Sequence, residues 1–151
     1  MSNTEKPSKL PLYKQETPDS CVPACLRMAF STFGFEISEA ELRLLCDCTF
    51  DGTNALKAVD AARSLGFHKT RKYNLSLLEL EKLVADGASP IVFVEMYPIA
   101  GIFQVHAMIV TQITPFSIQV IDPEIGERIL PILVFRTAWE QRNNLTILVE
   151  K

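Results

Sequence analysis

Between Gln15 and Phe30 the chain reads QETPDSCVPACLRMAF. Leu26, Ala29, Phe30 and Phe33 recur at helical spacing, Pro23 suits a first turn and Gly34 can end the run. The pattern predicts a loop at Gln15 leading into a helix that starts near Pro23. Cys21 and Cys25 stand four residues apart at that start, and Gln15 lies six residues before the first of them. Four readings fit such a stretch: a metal site, a disulfide, a packing motif, or a nucleophile with its oxyanion donor.

A helix N-terminus leaves backbone N–H groups unpaired and carries the positive end of the dipole, which favours a thiolate. Cys21 sits just before Val22-Pro23 and is therefore the candidate reactive thiol. Cys25 falls one turn later in an apolar run and reads as a small core residue. Both cysteines fit equally well as buried packing residues. A four-thiolate zinc site from Cys21-x3-Cys25 and Cys46-x-Cys48 is the rival, but these spacings are unusual for zinc and both pairs lie in helical pattern. Cys46 and Cys48 are expected to end the second helix, one of them facing the core. A structural disulfide suits an exported chain, whereas the N-terminal MSNTEKPSKLPLYK lacks the apolar run of a signal peptide.

The 151 residues are 48% hydrophobic, enough for a substantial core in one domain. Residues 1–12 read as a flexible N-terminal arm and 13–151 as the folded domain. The net charge is -3 and no basic block stands out, which argues against nucleic acid as a partner. The longest apolar runs are too short to span a bilayer; with no export signal, the four cysteines are expected as reduced thiols and the location as cytoplasmic. A pattern for phosphate-loop nucleotide binding is missing. Nothing implies a metal or organic cofactor.

Helical patterns fill the first half. SEAELRLLC (38–46) opens with Ser38 and Glu41, a capping-box pair, and SLLELEKLVADG (76–87) opens with Ser76 and Glu79, another. TNALKAVDAARSLGF (53–67) is expected to be capped by Thr53 and closed by Gly66. FHKTRKY (67–73) reads as a short strand. After residue 88, PIVFVEMY, QVHAMIVTQI, FSIQVID, GERIL and LTILVE read as strands, with a short helix around ILVFRTAW. Helices first and strands later imply an α+β fold with two lobes around one cleft.

A cysteine nucleophile needs a base, and the chain has two histidines. His68 lies among cations and reads as an exposed strand histidine. His106 opens an apolar strand, where a polar ring requires partners. Strands 104–113 and 116–122 form a hairpin turning near Thr114-Pro115. Antiparallel pairing about that turn sets His106 opposite or beside Asp122, on one sheet face. Asp122 can then accept from one ring nitrogen while the other faces a thiol. In isolation Asp122-Pro123 reads equally as an ordinary turn. Gln15, in the loop before the nucleophile, is placed to donate to an oxyanion together with the backbone N–H of Cys21.

Together these residues resemble the bacteriocin-processing cysteine peptidases, the papain-like family that cuts after double-glycine leaders. The resemblance rests on Gln15, SCVPACLRM (20–28), His106 in VHAMIV and Asp122-Pro123 in VIDP. Further support comes from DGT (51–53) before a helix, LGF (65–67), SLLELEKL before PIVFVEM, and Trp139. It implies a papain-like fold, with an N-terminal helical lobe packed on a C-terminal antiparallel sheet. It also implies a Cys21-His106-Asp122 triad, Gln15 as oxyanion donor, and a precursor peptide or protein cut after small residues. A transporter or biosynthetic partner is the implied companion, and the chain reads as a stand-alone or excised peptidase domain. A silent peptide-binding module is the alternative reading. Ser20 stands where the family has an acid and Val22 where it has a glycine; both bear on the double-glycine preference.

Overall fold

The computed structural model describes residues 10–49 and 52–151. Helix α1 (Cys21–Ser31) begins two residues earlier than Pro23, with Ser20 at its N-cap. The proline still falls in the first turn, where its missing N–H costs nothing. α2 (Glu39–Leu45) is capped by Ser38, which accepts from the Glu41 N–H. α3 (Ala55–Ser64) is capped by Asn54 rather than Thr53, the side chain accepting from the Leu56 N–H. Asparagine is the better cap, and its position one residue later shortens the helix accordingly. Ser76 and Glu79 form the expected capping box of α4 (Leu77–Ala85). The short α5 (Tyr97–Ala100) interrupts the strand region and has no periodicity to signal it. α6 (Ile132–Glu140) spans the helix expected near ILVFRTAW.

Six strands make one sheet: β1 (Arg71–Asn74), β2 (Ile91–Glu95), β3 (Val105–Ile113), β4 (Ser117–Asp122), β5 (Gly126–Pro131) and β6 (Leu145–Leu148). Their order is β1-β6-β2-β3-β4-β5, and every pairing is antiparallel. β1 starts only at Arg71, so His68 lies in an exposed turn ahead of it.

Two cores lie on opposite faces of the sheet. One joins Phe30, Leu42, Ala58 and Phe67 of the helical lobe to Ile91, Phe93, Ala107, Ile109 and Ile147. Phe30 stacks on Phe67 at 4.7 Å and meets Phe35 edge-on at 5.7 Å, offset geometries that aromatic quadrupoles favour. The other core joins Val92, Val94, Met108, Val110, Ile118 and Val120 to Leu80, Phe135 and Trp139. Helices therefore cover both faces, which explains the uninterrupted apolar run of β2. The fold is the expected α+β type, with the added finding that α4 and α6 close the far side of the sheet.

Candidate active site

Cys21 is the first residue of α1 and is half-buried. Ser20 does not cap the helix with its side chain. Its fully buried Oγ instead closes the preceding turn, accepting from the Thr17 N–H at 3.0 Å and donating to Thr17 O at 3.1 Å. Pro23 has no N–H, so the amides of Cys21 and Val22 are the free donors at this helix end.

The β3–β4 ladder pairs Ile109 with Ile121 and Val110 with Val120, then slips one residue at a bulge so that Gln112 faces Gln119. Extending the register on the site side puts Asp122 diagonal to His106 on one face, within reach of an aromatic side chain. His106 Nε2 stands 2.6 Å from Asp122 Oδ1, and both residues are buried. Cys21 and His106 line the same cleft, and the Cys21 sulfur helps to raise the imidazole. With Nε2 committed to Asp122, Nδ1 is the ring nitrogen left for the sulfur.

Asp122 has two further partners. The Glu124 N–H donates to Oδ1 at 2.8 Å, and Arg128 Nη1 donates to Oδ2 at 3.0 Å. Arg128 carries no signal in the sequence beyond being a strand cation two residues past a turn glycine. Gly126, at φ 102°, makes the tight return that aims Arg128 back at Asp122.

These contacts set the charges. Burial opposes a charged imidazole, but the hydrogen bonds and negative charges of Asp122 and Cys21 outweigh it and raise His106 to about 9. Burial likewise opposes a charged Asp122. Hydrogen bonding and charge from His106, the Glu124 N–H and Arg128 reverse that, lowering its carboxyl below the usual range. The site thus favours an imidazolium held between the Asp122 carboxylate and the Cys21 sulfur. Cys25 is fully buried, and burial first, then the charges of Cys21 and Asp122, raises its thiol well above the ordinary value. Cys46 is pushed up to about 12 by burial and by Cys48. All four cysteines are free thiols, and no three His, Cys, Asp or Glu side chains among the described residues gather as a metal site.

Gln15 is held at the site from two sides. Its backbone N–H donates to Pro123 O at 2.7 Å, beside Asp122. The next amide, that of Glu16, donates to both oxygens of the fully buried Glu39 carboxylate at 3.1 and 2.9 Å. Arg43 pairs with Glu39 at 2.8 Å and with Glu16 at 3.5 Å. The side-chain amide of Gln15 donates within its own loop, to Thr17 O at 2.9 Å and Pro18 O at 3.2 Å, while Oε1 is buried without a partner. Donation to an oxyanion requires Nε2 to release one carbonyl, and the Pro18 bond is the longer of the two.

A cleft of about 680 Å³ opens beside Cys21 and His106. Val22, Phe93, Ala107 and Leu145 line it, and Thr53 adds a buried hydroxyl oxygen with no partner. Gly52 and Thr53 belong to the DGT stretch; Asp51 lies outside the described residues.

A helix-borne thiol facing a sheet-borne imidazole is the arrangement of papain-like cysteine peptidases. Residues 9–151 match the model of the Peptidase C39 family; the chain belongs to that family and is a cysteine peptidase. Over 105 residues it is 30% identical to the lactococcin transport/processing ATP-binding protein LcnC-like of Lactococcus lactis subsp. lactis (strain IL1403), matching 69% of this chain but 14% of that protein. The peptidase domain of Streptococcus ComA, a bifunctional ABC transporter involved in quorum sensing, superposes with a TM-score of 0.77 at 27% identity. That match covers 92% of this chain and 97% of that one. A putative C39-like peptidase from Bacillus anthracis shares the fold at a TM-score of 0.80 and 18% identity, covering 95% and 96%. A double-glycine motif protease from an AMS/PCAT transporter, solved with its leader peptide, shares it at 0.75 and 20%, covering 95% and 93%. No helix among the described residues is long and apolar enough to cross a membrane.

Proposed function

We propose that this chain cleaves a precursor peptide after a pair of small residues of the double-glycine type. Cys21 is the nucleophile, His106 the base and acid, Asp122 the orienter and Gln15 the oxyanion donor. The observation that carries this reading is the His106–Asp122 pair at 2.6 Å, with His106 and Cys21 lining one cleft. The thiolate attacks the scissile carbonyl, and charge develops on its oxygen beside the Cys21 N–H and the Gln15 amide. His106 passes its proton to the leaving amine. Water, activated by the now neutral imidazole, then hydrolyses the thioester. Three of the proteins above are named with transport, the LcnC-like protein, ComA and the AMS/PCAT transporter, which makes a transporter or a biosynthetic assembly the proposed partner.

Val22 supports small residues at the cut. It is buried at the cleft wall next to the nucleophile, and its branched side chain takes space that a glycine would leave open. The test is a peptide set with Gly, Ala, Val and Phe at the two positions before the cut, read by mass spectrometry. Cleavage after Gly-Gly or Gly-Ala, with wider tolerance in Val22→Gly, is the expected result. Preference for a bulky residue would refute the leader specificity and leave a cysteine peptidase. No cleavage of any peptide, with Cys21 still reactive, would favour the binding-module reading.

A further inference from the structure

A second cavity, of about 550 Å³, opens at the β1 edge of the sheet and is lined by Arg63, His68, Lys69, Arg71, Tyr73 and Glu150. It shares no residue with the cleft beside Cys21. β1 lies three strand spacings, about 14 Å, from the strand that carries His106. The whole chain is acidic, at net charge -3, yet Arg63, Lys69 and Arg71 face a single acid here. Among the described residues, no carboxylate lies within ion-pair reach of any of the three, Glu150 included. All three are exposed, as is His68. Two positive charges are left unbalanced, and His68 adds a donor.

Separate pieces of the chain bring these side chains together. Arg63 stands in the last turn of α3, and its Nε donates to Thr70 O at 2.9 Å. That bond fixes the guanidinium and leaves both Nη groups for a ligand. Thr70 is fully buried. Its Oγ1 accepts from the Glu150 N–H at 3.1 Å, and the Lys69 N–H donates to Glu150 O at 3.2 Å. The turn before β1 is thus tied to the chain that follows β6. Alternation along β1 then sorts the cations. Arg71 and Tyr73 line this cavity, whereas Lys72 between them lines the cleft. A helix C-terminus attracts a cation, and an edge strand favours charges that deter pairing with another chain. Neither calls for four basic side chains around one cavity.

We propose that this cavity binds a phosphate group, carried by free phosphate or diphosphate or by a phosphomonoester lipid headgroup. A phosphate monoester has a charge of about -1.5 to -2 at neutral pH and three acceptor oxygens, which match the unbalanced charge; a carboxylate would leave part of it. The Arg63 and Arg71 guanidiniums supply planar forks and Lys69 a compact ammonium. The volume falls in the range of small-molecule sites, about 300–1,000 Å³. The site contains neither Cys21 nor His106, so its occupancy is separate from peptide cleavage.

The test titrates the full chain with inorganic phosphate, pyrophosphate and acetate at constant ionic strength, read by backbone amide shifts. A second arm measures flotation with phosphatidylcholine vesicles containing either phosphatidic acid or phosphatidylserine. The expected shifts centre on residues 63, 68–73 and 150, with phosphate or pyrophosphate binding about tenfold tighter than acetate. Lys69→Gln/Arg71→Gln, which keeps the Arg63–Thr70 bond, should weaken binding about tenfold with thermal melting unchanged. Arg63→Gln should weaken it too, and Arg136→Gln, an exposed cation of α6, should not. Binding of soluble phosphate or pyrophosphate without vesicle capture assigns the soluble source. Capture by phosphatidic acid alone, lost in Lys69→Gln/Arg71→Gln, assigns the lipid. Equal shifts with acetate, or shifts centred on the cleft cations Lys57 and Arg142, overturn the inference. So does the lack of any response to soluble phosphate together with no vesicle capture or equal capture by both lipids.

Discussion

His106 Nε2 and Asp122 Oδ1 lie 2.6 Å apart although 16 positions separate them in the chain. One hairpin makes the contact, and the bulge at Thr111 lies on the turn side of it, leaving the register at the site undisturbed. Asp122 also holds Arg128, so its charge is shared between the imidazole and a guanidinium. Asp122→Asn keeps the shape but loses the charge that steadies an imidazolium. Turnover should fall by at least tenfold while the melting temperature drops only a few degrees. His106→Ala should abolish turnover, and His68→Ala, altering an exposed turn residue away from the cleft, should not. A melting collapse in Asp122→Asn would make Asp122 a folding residue, and equal losses in both histidine variants would misplace the base.

The raised His106 makes a pH prediction with a definite sign. A group whose folded value is about 9 against an ordinary 6.5 binds its proton more tightly in the fold. Its stabilisation is complete below about 6.5 and disappears as pH rises through about 9. The loss is of order 1–3 kcal/mol, so the melting temperature should decline over that window. The lowered Asp122 works in the opposite direction: its contribution is present above the ordinary carboxylate range and is lost only as pH falls below it. His106→Ala should lack the alkaline decline. A wild-type melting profile that is flat from pH 7 to 9 would contradict the assignment.

Thiol chemistry separates the four cysteines. Cys21 and Cys48 are partly exposed, whereas Cys25 and Cys46 are buried and their thiols are raised. Helix position and the His106 contact distinguish Cys21 from Cys48. Iodoacetamide at neutral pH should modify Cys21 first, Cys48 more slowly and the other two only on unfolding. Mass mapping reads the order directly. Uniform labelling, or Cys48 ahead of Cys21, would remove the case for an activated nucleophile.

Glu39 is buried and yet accepts the Glu16 amide with both oxygens, fixing the loop that carries Gln15 to the helical lobe. Pro123 fixes the same loop to the sheet. Glu39→Gln replaces one acceptor by a donor facing that amide or Arg43, at a cost of about 1–3 kcal/mol. The expected outcome is a melting point lower by about 2–10 °C and a fall in kcat with KM nearly unchanged, since the loop orients a group needed only as the oxyanion forms. A rise in KM alone would assign Glu39 to substrate binding instead.

Local chemistry is legible in the chain itself. The Ser76–Glu79 box, the apolar spacing of α1 and the turn at Thr114 each act over a few residues, so sequence spacing alone pairs the strand carrying His106 with the one carrying Asp122. Gln15 takes its role from its place before Cys21 and from resemblance, because a glutamine in a loop has no periodicity to mark it. The sequence pattern puts the start of α1 two residues late and the α3 cap one residue early, since neighbouring Ser, Thr and Asn residues compete for the same role. Only the tertiary structure decided the rest. β1 leaves the helical half to pair with β6, carrying Lys72 to the cleft; Arg128 returns to Asp122; and Glu39, in sequence one more acid of a capped helix, is buried against the Glu16 amide. Each of these depends on strand order and on which helix covers which face, long-range choices made by burying both sides of one sheet, and no short stretch of sequence carries the energy that selects them.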